Sequence, residues 1–159
     1  MHCWLLYGRG KLVSEDVIKL EHVWKIFGEN AQAAMEAIEA RNLSKDQVLK
    51  EFKCVVGIAD CSFSVRKGEV FCVMGLSGSG KSTMVRHLNR LIEPTAGFIE
   101  VLGKDMRALS DVDLRAMRAR EIGMVFQHMA LLPHRTVRDN VAFPLQIRGE
   151  SKARRWEIS

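Results

Sequence analysis

Residues 75–82 read G-L-S-G-S-G-K-S and match the pattern G-x-x-x-x-G-K-[ST] at every fixed position. No other stretch constrains the chain as strongly. Gly75, Gly78 and Gly80 allow a curl that Cβ atoms would obstruct. Successive amides, those of Leu76, Ser77 and Ser79 among them, then point inward and form a nest for an anion. The apolar run 70–74 precedes the loop and reads as a strand covered on both faces. Val85, Leu88, Leu91 and Ile92 follow at helical spacing, and Glu93-Pro94 supplies the stop. A helix opening directly after the loop aims the positive end of its dipole at the same anion. Lys81 is therefore expected to reach the β- and γ-phosphates of a nucleotide, Ser82 to offer its hydroxyl to Mg²⁺, and Thr83 to donate to an inner phosphate. A ligand-free glycine turn would explain the glycines, but not a lysine followed by a hydroxyl residue.

Residues 1–16 show no period and read as a loose extension. Residues 17–23 alternate apolar and polar, the pattern of a half-buried strand, and Phe27-Gly28 ends it. Residues 29–53 read as a small insertion of two helices. Ala33, Ala34, Ala37, Ile38 and Ala40 favour the first, Asn42 stops it, and Ser44 with Gln47 caps the second. Residues 61–65 alternate again before a Lys67-Gly68 turn. Beyond the loop, 98–102 reads as a strand, Ser110 with Asp113 opens a helix, and 122–126 reads as a second buried strand. Thr136 with Asp139 caps a helix that Pro144 is expected to limit. The expected fold class is α/β.

Many P-loop proteins share the octapeptide, so the rest of the chain must discriminate among them. Val125-Phe126-Gln127, downstream of Lys81 at an expected strand end, resembles the Q-loop of ABC ATPases, and the chain is similar to that family over residues 17–159. The whole stretch 74–97, with Leu132-Pro-His134, Thr136-Val and Asp139-Asn140, resembles one branch in particular: the ATPases of glycine betaine/L-proline (quaternary amine) importers. A helical insertion after K-I-F-G at 25–28 is also typical of that branch. The resemblance implies a P-loop NTPase core with N-terminal antiparallel strands, binding ATP with Mg²⁺. It places Lys81 and Gln127 in hydrolysis, and Ser82 and Gln127 on the metal. Phe27 stands where the family keeps an adenine-stacking aromatic, and Trp24 is the competing ring.

The implied partners are a transmembrane permease subunit, a second ATPase subunit and, indirectly, a periplasmic or extracellular solute-binding protein. Segment 127–148 would meet the permease through Leu131, Leu132, Pro133, Val137 and Phe143. His128 and Arg138 depart from the branch there. The implied location is peripheral, on the cytoplasmic face of the plasma (inner) membrane.

The family's L-S-G-G-Q signature, its apolar run ending in Asp-Glu and its switch histidine do not occur in these residues. The expected core is therefore incomplete, the N-terminal part of an ABC ATPase domain. Residues 1–159 alone are expected to aggregate through 70–74 and to lack ATP turnover. Two alternatives stand beside this reading: a non-catalytic P-loop nucleotide-binding module, or a P-loop kinase. A kinase would need an Arg-bearing lid and gives no reason for Gln127. The net charge of +5 is scattered, with no aromatic-rich basic module, so no nucleic-acid partner is expected. Cys3, Cys54, Cys61 and Cys72 form no C-x-x-C pair and read as incidental thiols. No apolar run approaches the roughly 20 residues that span a bilayer.

Overall fold

The computed structural model describes residues 15–127 and 131–159, and the chain divides into two compact units, Met1–Arg107 and Ala108–Ser159. Most of the expected extension 1–16, and His128, lie outside the described residues.

In the first unit, β1 (Asp16–Phe27) pairs antiparallel with β2 (Val55–Arg66) on one side and with β3 (Ala96–Val101) on the other. The two-residue β4 (Lys104–Asp105) completes the order β2-β1-β3-β4. Strict alternation does not hold along β1, where Leu20, Val23 and Ile26 are buried at intervals of three. Register shifts between Leu20 and Val23 and between Val23 and Lys25 break the alternation, and all three apolar side chains are buried. His22 and Asp60 face each other at the irregularity with φ of 48° and 45°. Their side chains meet at 2.7 Å, and the His22 amide donates to Ser62 Oγ at 2.8 Å, which holds the bulge.

Between β1 and β2 the chain forms α1 (Ala31–Arg41) and α2 (Lys45–Phe52), the two helices expected there. Asn42 ends α1 in the left-handed region, its amide donating to Ile38 O at 2.7 Å. Ser44 then caps α2 from both sides: the Gln47 amide donates to its Oγ, and its own amide donates to Gln47 Oε1. Ala34, Met35 and Ile38 of α1 and Val48 of α2 pack on Ile26, Cys54 and Val56, with Trp24 and Phe52 at the margin. Burying each larger apolar side chain in such a cluster stabilises by about 1.5–3 kcal/mol.

In the second unit, α4 (Asp111–Arg120), α5 (Val137–Ile147) and α6 (Lys152–Ile158) begin at Ser110, Thr136 and Ser151, whose hydroxyls each accept an amide of the first turn. Pro144 does not limit α5; the helix runs through it to Ile147. The Asn140 side chain bonds Leu132, Arg135 and Thr136, which ties the preceding loop to α5. The Arg138 and Lys152 cations lie 5.5 and 4.6 Å from the Trp156 ring centroid.

Three more expectations need correction. Residues 70–74 and 122–126 are not strands. Val70 and Val125 are 90% and 98% exposed, not covered. An apolar run becomes a buried strand only when both edges find partners. Among the described residues, 70–74 pairs with no strand, and β2 is the outer strand of the sheet. The third correction concerns α3 (Lys81–Leu88), which ends before Glu93-Pro94, where Arg90 takes φ 52°. Its buried face is Met84 and His87, one position off the stripe read from Val85 and Leu88.

Candidate nucleotide-binding site

The octapeptide curls as its glycines require. Gly80, with φ +89°, is the last residue before α3, and a Cβ there would lie 2.5 Å from the main-chain oxygen of Gly57. A side chain at 80 is thus excluded twice, by its dihedral and by a neighbour that cannot give way. The Ser79 amide donates to Leu76 O at 3.2 Å, tightening the turn. Lys81 Nζ donates to Gly75 O at 2.8 Å and Leu76 O at 2.7 Å, with Ser79 Oγ at 3.4 Å. The ammonium therefore sits inside the loop, held by its own carbonyls.

Helix α3 starts with no capping side chain and no acidic residue in its first turn. The first-turn amides of Lys81, Ser82 and Thr83 have no intrahelical acceptor, and every helix leaves such donors to be met by something. Uncapped amides, a lysine ammonium and an exposed Ser82 hydroxyl are the donor set that a polyphosphate with Mg²⁺ uses. These residues fit Mg·ATP.

A cleft of about 270 Å³ is lined by loop residues 78–83 and by Phe27, Val55, Val56 and Gly57. Phe27 is 40% exposed, whereas Trp24 packs on the cluster beneath α1. Of the two competing rings, Phe27 is the one that faces the loop. Lys25 Nζ lies 5.2 Å from the Phe27 ring centroid and donates to Glu93 O at 2.8 Å. Gly75, Leu76 and Ser77 do not line this cleft; Gly75 and Leu76 act through the carbonyls that hold Lys81. A second cavity, of about 310 Å³, meets the loop at Ser79, Gly80 and Lys81, with Val73, Met74 and Met84 in its wall.

Gln127 is exposed and belongs to the second unit. Nearby, Leu131 and Val137 are 58% and 80% exposed, and Phe143 is half-buried under the Arg135 guanidinium at 5.1 Å.

Sequence reasoning missed His87. It is 1% exposed, and neither ring nitrogen has a hydrogen-bond partner. Burial pushes the imidazole down to about 4 and the Lys25 ammonium adds to the shift, while the Ile92 main chain opposes it without meeting hydrogen-bond geometry. Asp139 at the start of α5 is held below the usual carboxylate range, chiefly by the Thr136 hydroxyl at 2.7 Å. No local signal singled it out, because the Val85–Leu88 stripe and the Met84–His87 stripe have the same spacing.

An antiparallel sheet beside a glycine loop that opens a helix defines part of an ATP-binding cassette. The family described as ABC transporter matches residues 58–159, and the chain belongs to that family. It is 48% identical over 140 residues to the glycine betaine/proline betaine transport system ATP-binding protein ProV of Escherichia coli (strain K12), covering 88% of this chain and 35% of that protein. It is 46% identical over 140 residues to the glycine betaine transport ATP-binding protein OpuAA of Bacillus subtilis (strain 168), covering 88% of this chain and 33% of that one. The solved dimeric structure of the ATP-binding cassette MJ0796, in a post-hydrolysis state bound to ADP and Pi, superposes with a TM-score of 0.68 and 26% identity. That match covers 88% of this chain and 53% of the other. The chain thus spans about a third of the length of the curated relatives it matches. Among the described residues, no helix is long and apolar enough to cross a membrane.

Proposed function

We propose that this chain is the nucleotide-binding part of the ATPase subunit of an importer for a compatible solute of the glycine betaine or proline type. The observation that carries this is the shared cleft: an uncapped helix start and its lysine on one side, an exposed aromatic on the other. The names of the relatives support the solute class.

In this reading the adenine lies on Phe27, and the triphosphate takes the amides of the loop and of the first turn of α3. Lys81 trades the carbonyls of Gly75 and Leu76 for the β- and γ-phosphates. Mg²⁺ would supply the charge that offsets the phosphate oxygens, with the Ser82 hydroxyl as the loop side chain that would hold it; the role of Gln127 on the metal rests on the family resemblance alone. Segment 127–148 meets a transmembrane permease subunit, a second ATPase subunit completes the nucleotide sandwich, and a solute-binding protein acts through the permease. The assembly sits at the cytoplasmic face of the plasma membrane.

Calorimetric titration of the chain with Mg·ATP, beside Lys81→Ala, tests the site. Binding by the parent chain and loss in the variant are expected; equal binding by both would overturn it. Uptake of radiolabelled glycine betaine by cells carrying the full-length parent, with and without the same substitution, tests the solute class.

A further inference from the structure

His87 is a buried imidazole that the nucleotide chemistry does not use. It sits on α3, the short helix whose first turn carries Lys81, Ser82 and Thr83, and it is 1% exposed with both nitrogens unpartnered. An imidazolium at this position would be a buried cation whose one opposing influence is the Ile92 main chain, which does not reach hydrogen-bond geometry with either ring nitrogen. The charged group acting on it from the sheet is Lys25 of β1. The buried side chains of β2 and β3 are apolar, among them Val56, Ile58 and Ile99, and so offer a cation nothing. In the turn after α3, Arg90 and Glu93 are committed to each other at 2.8 Å.

Lys25 makes this more than a local matter of stability. The same ammonium lies 5.2 Å from the Phe27 ring and donates to the Glu93 carbonyl. One cation therefore touches the aromatic wall of the cleft and also acts on the helix that forms its phosphate end. Protonating His87 would set two cations against each other across that link, and relief requires α3 or Lys25 to move.

We propose that His87 makes nucleotide binding acid-sensitive: only with a neutral imidazole does α3 stay seated, and only a seated α3 holds the phosphate loop's first-turn amides in place. This rests on the nucleotide reading of the loop, and the test separates the two.

Backbone amide hydrogen exchange of α3, corrected for intrinsic rates, is compared for the full chain, His87→Leu and Lys25→Met. Between about pH 7.5 and about pH 5, protection of α3 in the parent chain should fall about tenfold or more beyond any change in His87→Leu. Lys25→Met should lose less than the parent, because the repelling ammonium is gone. A fluorescent ATP analogue with Mg²⁺ should lose affinity over the same range in the parent, more than in His87→Leu. Equal loss of α3 protection in the parent and His87→Leu would overturn the proposal. Should His87→Leu fail to fold, the His87 imidazole is titrated by NMR in the parent chain. A midpoint at or above that of an ordinary histidine overturns the proposal, and one well below supports it. If the parent binds no analogue even at the higher pH, the nucleotide reading fails, while the exchange comparison still decides the role of His87.

Discussion

Phe27 lies so close to Gly57 that a Cβ on residue 57 would come within 2.6 Å of its Cε2 atom. The absent side chain at 57 is what lets the ring stand over the cleft that the phosphate loop also lines. Gly57→Ala should therefore push the ring aside. Affinity for Mg·ATP should fall several-fold, approaching the loss in Phe27→Ala, since stacking on a base contributes about 1–3 kcal/mol. Affinity for inorganic tripolyphosphate, which has no base to stack, should stay unchanged. Calorimetry with the two ligands checks this, and equal losses for both would place the effect in the loop rather than the ring.

Lys81 holds three oxygens of its own exposed loop, so its removal should be felt in binding far more than in stability. Lys81→Met keeps the stem but removes the charge. It should weaken Mg·ATP binding at least tenfold, since a charge-assisted bond to phosphate is among the stronger polar contacts. It should barely alter the denaturation midpoint, because the loop is exposed. A large drop in stability with intact binding would contradict the assignment.

Stability should fall in acid by way of His87. Its folded value of about 4 lies below the ordinary 6.5, so the unfolded chain takes up a proton that the folded chain refuses. The associated stability is whole above the unfolded value and declines as pH falls towards 4; below that, both states are protonated and the loss is constant. The full difference is about 3 kcal/mol. Urea denaturation of the chain and of His87→Leu across this range measures it as the difference between the two curves. Parallel curves would show that the imidazole titrates normally.

The exposed run 70–74 predicts self-association. Val70 and Met74 are 90% and 89% exposed, and Val73 is 40% exposed. Unpaired and apolar, such a segment can template pairing between copies. Sedimentation should show mass rising with concentration, and Val70→Lys with Val73→Lys should reduce it. A monomer at all concentrations would refute this.

Local chemistry made much of this chain legible. Ser44 with Gln47, Ser110 with Asp113 and Thr136 with Asp139 each cap the helix that follows, because a cap needs only residues three apart. The octapeptide was legible for the same reason: Gly78 and Gly80 take positive φ, and their spacing to Lys81 is local. The sequence alone thus determined the starts of α2, α4 and α5 and the curl of the loop before α3. It did not decide which apolar run is covered, since coverage of 70–74 depends on partner strands, a property of distant segments. Nor did it decide that α3 turns Met84 and His87 inward. The two candidate stripes differ by one residue, and only packing against the sheet chooses between them. That Phe27 lines the cleft while Trp24 packs on the cluster with α1 and α2 was tertiary too, because it depends on which side chains the helices cover.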